Sequence, residues 1–351
     1  MLLRWLRSRS DLTAGSYRAG TPTLPATNPP RLGITATPSE SPAMSAFPFI
    51  DRLIADAARL GGARVAVAYP LTANSLEPAA RAQSLGLIEA VLVGPRSGIE
   101  RLAAEKGISL AGMAFADTPD NPNAAAAHAV ELVRDGKAAA IMKGSLHTDE
   151  LLAAVVNKDK GLRTGRRTSH AFVFDVPGQP RALMMADCVV NIQPDLMAKR
   201  DIVQNAVELA HALGTARPNV AILSAVETIN PAIPGTLEAA ALSKMADRGQ
   251  ITGCVVDGPL AFDNAISAEA ARIKGITSPV AGQPDILIVP NLEAGNMLYK
   301  QLVYLGKAEC AGLILGTRAP IILTSRADSE LCRVASAALA VIYARATRRT
   351  A

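Results

Sequence analysis

From Phe47 onward, short aliphatic runs alternate with stretches whose apolar residues recur every three to four positions. RVAVAYP (64–70), EAVLVGP (89–95), AAAIMKG (138–144), NVAILSA (219–225), TGCVVDG (252–258), PDILIVPN (284–291), AGLILG (311–316) and PIILTS (320–325) are nearly free of charge and end in Gly, Pro, Asn, Ser or Ala. Apolar runs of this length, bounded by turn residues, are those of strands covered on both faces. LTANSLEPAARAQSLG, RSGIERLAAEKG, SLHTDELLAAVVN and LEAGNMLYKQLVYLG lie after strands and carry the helical period; RADSELCRVASAALAVIYARA closes the chain. The alternation predicts an α/β protein with a mostly parallel sheet and helices on both faces. Ligands of such sheets bind beyond the carboxyl ends of the strands, where the polar turns fall.

Segment 157–185, NKDKGLRTGRRTSHAFVFDVPGQPRALMM, breaks the alternation. A basic turn precedes HAFVFDV and RALMM, which Pro-Gly separates, so a β-hairpin and a crossing between domains are expected. One domain is expected over 47–168 and 318–351, and a second over 169–317. Residues 1–46 are expected to be a disordered or non-native extension, with the working protein beginning near Met44. The first 43 residues resemble a transit peptide in being Arg- and Ser-rich and acid-poor.

The chain has 351 residues, 49% hydrophobic, 19% charged and only 3% aromatic, which suits aliphatic α/β packing and not base stacking. The net charge of +5 is concentrated in the first 43 residues, where five arginines face Asp11 and Glu40. No nucleic-acid surface is expected from the rest. No apolar run reaches the roughly 20 residues of a membrane helix. Cys188, Cys254, Cys310 and Cys332 are widely spaced with no CxxC, as expected of reduced thiols in a cytoplasmic protein.

Most familiar chemical signatures are missing. No GxGxxG follows a strand, no GxxxxGK[ST] occurs, and neither GxSxG nor HExxH is present. Four turns instead suit an anionic ligand. MKGSLHTDE (142–150) offers Lys143, Gly144, Ser145 and Thr148 where a strand hands over to a helix, whose free N–H groups favour phosphate. GLRTGRRTSH (161–170) offers Arg163, Arg166 and Arg167. VPNLEAGNML (289–298) places Asn291 and Asn296 around Gly295. GTRAPIILTSRADSE (316–330) supplies Arg318, Ser325, Arg326 and Asp328. Each also reads as a capped helix start or a solvated loop. In VDGPLAFDNAIS (256–267) the strand is expected to stop at Asp257-Gly258-Pro259, which would put Asp257 and Asp263 at the ligand's edge of the sheet.

ADCVVNIQPD (186–195), the run from Ser224 to Ser267, PDILIVPNLEAGNMLYKQLVYL (284–305) and PIILTSRADS (320–329) resemble the phosphate acetyltransferase / phosphate butyryltransferase family. MKGSLHTDELL and GLRTGRRTSH are closer to its butyryltransferase-like branch. The resemblance implies a two-domain fold like the isocitrate and isopropylmalate dehydrogenases, with the site in the cleft between domains, and a homodimer or larger assembly. It implies acyl-CoA + phosphate ⇌ acyl phosphate + CoA by direct attack, with coenzyme A as substrate and no cofactor, metal or covalent acyl-enzyme.

By position, Ser325 would bond the thiol or the reacting carbonyl, and Arg326 would hold phosphate or a CoA charge. Cys332 stands where the acetyltransferases have an aspartate base, so Asp328 is the first candidate for that role and Glu330 the second. Ala153 and Ala154 stand near the place of a family arginine, which leaves anion binding to Lys143 or to Arg163 and Arg166. Asn291, Asn296 and Asp257 resemble cleft positions. Two other readings stay open: a hydroxyacid dehydrogenase needing NAD and a metal, and a non-catalytic relative that binds CoA or acyl phosphate. The acyl chain length is not readable from these motifs.

Overall fold

The apolar runs fold as strands of a single mixed sheet in a computed structural model that describes residues 45–325 and 327–348. The expected N-terminal extension falls almost wholly outside the described residues, as does Arg326. The strands are β1 (Ala63–Ala68), β2 (Ile88–Gly94), β3 (Ala114–Asp117), β4 (Ala140–Lys143), β5 (Ser169–Asp175), β6 (Leu183–Ala186), β7 (Asn219–Leu223), β8 (Val255–Leu260), β9 (Ile286–Ile288), β10 (Glu309–Leu315) and β11 (Ile321–Ile322). The helices are α1 (Pro48–Arg59), α2 (Ala73–Ser84), α3 (Arg96–Lys106), α4 (Pro122–Arg134), α5 (Thr148–Val155), α6 (Leu196–Ala212), α7 (Pro234–Asp247), α8 (Phe262–Ile266), α9 (Ala268–Ile273), α10 (Leu292–Tyr304) and α11 (Glu330–Arg348). Among the described residues no helix is long and apolar enough to cross a membrane.

The strand order is β3-β2-β1-β4-β11-β10-β5-β6-β9-β7-β8. Pairing is parallel except at β11–β10, β10–β5 and β5–β6. The expected hairpin is the β5–β6 pair, with Phe172 opposite Met185. Three antiparallel steps reverse direction, so the β3–β2–β1–β4–β11 half and the β6–β9–β7–β8 half run oppositely. Their carboxyl ends therefore leave from opposite edges of the sheet. This corrects the expectation that all the polar turns share one ligand-binding edge.

On one face α1, α2, α3, α6, α7 and α11 share a core with β1, β7 and β10. On the other, α4 and α5 cover the first half and α8 and α10 the second. β11 is only two residues long, yet Ile321 and Ile322 are both fully buried, one in the core of each face. Burial of such side chains contributes about 1.5–3 kcal/mol each, which holds β11 in register with β4 and fixes where the following turn begins.

A second correction concerns β8, which runs through Asp257, Gly258 and Pro259 to Leu260 instead of stopping there. It is the terminal strand of the sheet, where proline is tolerated. A Cβ at Gly258 would sit 2.8 Å from the Cβ of Ile222, so close contact with β7 requires the glycine. Asp257 is consequently an interior strand residue, in register with Ala221.

Candidate active site

The carboxyl ends of β1, β4 and β11 meet at one edge of the sheet. Gly144 follows β4 directly, and its N–H donates to the Ala68 carbonyl at 2.9 Å. The next amide, Ser145 N–H, donates to the Tyr69 carbonyl at 2.8 Å. Tyr69 adopts φ 58°, a left-handed conformation unusual for a tyrosine, and its hydroxyl donates to Asp120 at 2.5 Å. That bond, with burial, pushes the phenol up to about 12. The Ser145 hydroxyl accepts Leu71 N–H at 2.9 Å and lies 3.0 Å from Ser75 Oγ and 3.2 Å from Thr72 Oγ1. These three hydroxyls tie β4 to the first turn of α2, whose N-terminus opens toward the same space. Lys143 is half-buried beside them, its Nζ 3.3 Å from the Gly144 carbonyl.

From the other side comes the turn after β11. Ser325 is exposed, and its hydroxyl accepts Ala327 N–H at 3.3 Å, leaving the hydroxyl proton available to a ligand. Its N–H donates to Asp328 Oδ2 at 2.6 Å, and its carbonyl accepts Arg333 Nη2 at 3.2 Å. Arg333 reaches forward from the first turns of α11 and is 9% exposed.

Together these groups line an open depression of about 260 Å³: Thr72, which caps α2, Asn74 and Ser75 of its first turn, Lys143 to Ser145, Thr324, Ser325 and Arg333, over Pro78 and Met142. Two cationic side chains, a helix N-terminus and several hydroxyls converge, and among the described residues no carboxylate lines the space. An anion with several oxygens is the natural occupant.

Of the expected residues, Lys143, Gly144, Ser145 and Ser325 meet here. Thr148 begins α5 and does not line the depression; the Glu150 carboxylate caps that helix by accepting His147 N–H at 2.7 Å. Asp328 lies below the turn, with Oδ1 accepting the Tyr299 hydroxyl at 2.6 Å and Oδ2 accepting Ser325 N–H. Both oxygens are thus engaged in holding the turn. Glu330 is exposed at the start of α11.

Cys332 is buried, its Sγ 3.6 Å from Cys310 Sγ. The Cys310 contact and burial push its thiol up, so it does not replace an acidic base. Glu309, Cys310 and Cys332 form, among the described residues, a group close enough to hold a metal ion, but it lies outside the depression.

The remaining expectations fall elsewhere. Arg163 and Arg166, with Arg167, line a separate basin of about 680 Å³ near Val190–Ala198. Arg166 is ion-paired with Glu208, and Arg167 Nε donates to Asn191 Oδ1 at 2.9 Å. Arg318 precedes β11 and lines a hollow with Arg134 and Ala138, at the amino ends of the strands that lead to Ser325. It is therefore on the opposite edge from the depression. Asn291 caps α10 through a bond from Ala294 N–H at 2.9 Å, and Asn296 donates to the Cys188 carbonyl at 3.3 Å. Neither asparagine lines the depression, and Asp257 does not either. Asp263 is held by Lys274, which lowers its pKa.

Sequence reasoning missed the α2 N-terminus, Arg333 and Tyr299. The T-x-x-S spacing of Thr72 and Ser75 after a strand was a readable capping signal. Nothing local marked Arg333 or Tyr299.

Residues 111–341 match a family described as phosphate acetyl/butaryl transferase. A phosphate acetyltransferase of Rhizobium meliloti is 57% identical over 86% of this chain and 95% of its own length. A phosphate butyryltransferase of Clostridium acetobutylicum is 47% identical over 80% of this chain and 93% of its own. The crystal structure of a branched-chain phosphotransacylase from Enterococcus faecalis V583 is similar with a TM-score of 0.71 and 30% identity, covering 80% of this chain and 99% of that one.

Proposed function

The chain belongs to the phosphate acetyl/butyryl transferase family, and on that premise we propose that it transfers a short acyl group reversibly between CoA and inorganic phosphate, at the depression between β4 and β11. The observation that carries this reading is the convergence of Lys143, Arg333, Ser325 and the α2 N-terminus on one space that, among the described residues, no carboxylate lines.

Lys143 and Arg333 hold the phosphate beside the α2 N-terminus, which fixes its orientation toward the thioester carbonyl carbon. A phosphate oxygen attacks that carbon. Negative charge develops on the carbonyl oxygen, and the Ser325 hydroxyl donates to it. The tetrahedral intermediate collapses by breaking the C–S bond, releasing CoA thiolate and acyl phosphate. Phosphate enters as an anion, so attack in this direction needs no protein base. In reverse, the departing phosphate can take the thiol proton. The reaction thus tolerates Cys332 in place of an aspartate and an Asp328 committed to the turn.

Arg326 is assigned, on the resemblance alone, to a phosphate or CoA charge. Arg163 lines a separate basin at the opposite edge of the sheet, together with Asp195 and Asp201, and takes no part at the depression in this reading. The depression is lined by residues of 47–168 and 318–351 alone, and the other expected lobe, 169–317, reaches it through the Tyr299 bond to Asp328. The enzyme is a homodimer or larger and works in the reducing cytoplasm, in keeping with the buried thiols of Cys188, Cys310 and Cys332. Relatives of both names leave the acyl chain open between acetyl and butyryl.

The test is CoA release by the full-length protein from acetyl-CoA and from butyryl-CoA, with and without phosphate, in EDTA. Phosphate-dependent release is expected, and the faster substrate identifies the acyl preference. No release from folded protein that still binds CoA overturns the catalytic reading in favour of a CoA-binding relative.

A further inference from the structure

The turn that presents Ser325 is held from below by a residue of the other half of the sheet. Tyr299 lies on α10, is 5% exposed, and stacks on Phe172 of β5 with ring centroids 4.4 Å apart and planes 12° from parallel. That stack aims its hydroxyl at Asp328 Oδ1, 2.6 Å away. The second oxygen of the same carboxylate takes the Ser325 N–H, also at 2.6 Å. Both bonds are short and charge-assisted, the stronger kind. Burial and the Asp328 carboxylate push the ionisation of Tyr299 far up, so the phenol stays a donor throughout the working range. Asp328 N–H in turn donates to the Ser325 carbonyl at 3.2 Å, which closes the turn on itself. With its N–H and C=O both committed, Ser325 has its hydroxyl left to face the depression.

We infer that Tyr299 is a positioning residue for acyl transfer, acting through Asp328 to hold the turn that aims the Ser325 hydroxyl at the reacting carbonyl. This rests on the acyltransferase reading above. Tyr299 is not among the residues that line the depression, so its removal is expected to leave substrate binding intact and to disturb only what Ser325 does in the transition state. Interactions of that kind appear in kcat and not in KM. The bond also joins α10 of the second half to a turn of the first, across the reversal in strand direction.

The experiment uses Tyr299→Phe in the full-length enzyme, beside the unmodified enzyme, Asp328→Asn and the double variant. Phe keeps the stack on Phe172 and removes one hydroxyl. The expected result is a kcat reduced about tenfold or more, KM for acyl-CoA and phosphate within about twofold, and an Asp328→Asn loss no smaller than that of Tyr299→Phe. The double variant is expected to be no slower than Asp328→Asn alone, because the hydroxyl acts through that carboxylate.

Amide hydrogen exchange at Ser325 and Asp328, read in the same proteins, is expected to quicken at least tenfold in Tyr299→Phe. Unchanged kcat overturns the inference, and so do losses that multiply in the double variant. If the unmodified enzyme shows no phosphate-dependent turnover, it is the acyltransferase reading that fails. The exchange rates then still decide whether Tyr299 holds the turn, and unchanged exchange overturns that as well.

Discussion

Gly144 passes so close to the end of β1 that a Cβ on it would stand 2.2 Å from the Ala68 carbonyl oxygen. The Tyr69 carbonyl oxygen would be only 2.5 Å away. Both obstacles are backbone, so no side-chain rotation relieves them. Gly144→Ala is expected to cost about 3 kcal/mol or more, through overpacking and loss of the bonds that Gly144 and Ser145 make to β1. Urea unfolding measures it. A variant of unchanged stability would mean that the two strand ends are further apart than described.

Ser325 donates its hydroxyl to charge that exists only in the transition state. Ser325→Ala is therefore expected to lower kcat about 10²-fold with KM for acyl-CoA little changed. Steady-state kinetics over both substrates reads the split. A loss confined to KM would instead place the hydroxyl on the bound substrate and not on the developing oxyanion.

Lys143 contributes charge to the phosphate end of the depression. Lys143→Gln is expected to raise the KM for phosphate about tenfold, corresponding to about 1.4 kcal/mol, while KM for acyl-CoA moves less. Inhibition by sulfate should weaken in parallel, since sulfate occupies the same position. Equal effects on both substrates would move Lys143 to the CoA chain.

His170 gives the fold a pH dependence. It lies fully buried in β5, its ring 4.3 Å from that of Phe172, and neither ring nitrogen meets hydrogen-bond geometry with any described residue. Burial lowers its pKa below 6.5, and burial outweighs the opposing pull of Asp187, the Leu323 carbonyl and Asp328. The unfolded chain therefore binds a proton at this residue at a pH where the folded chain does not. Stability is retained above the unfolded value and lost as pH falls below about 6.5, by up to about 1.4 kcal/mol per pH unit for this one group. His170→Gln should flatten that part of the thermal-midpoint profile by one proton. An identical slope in the variant would assign the acid loss to carboxylates.

Much of the architecture was readable in the chain. Runs such as NVAILSA and AGLILG could only be strands covered on both faces, and their alternation with helical stretches fixed the class. The MKGS turn was legible because a strand, a glycine, a hydroxyl and a helix follow one another within a few residues. Asp257 was misplaced because Gly258 and Pro259, ordinarily turn residues, are here tolerated by a terminal strand packed tightly on Ile222.

By itself the sequence determined the elements, the family and two of the segments that form the depression, because each depends on local order along the chain. Only the tertiary structure decided strand direction, since a buried apolar run looks the same whether it runs up or down. The reversal across β10, β5 and β6 sends Asn291 to the edge opposite Ser325, where Arg163 and Arg318 also lie. Tertiary structure likewise decided that Asp328 serves the turn, because its partner Tyr299 comes from a different helix. Arg333 joins the depression for a similar reason: the first turns of α11 fold back beneath the Ser325 carbonyl. Hydrogen bonds between distant residues leave no periodicity for a sequence to display.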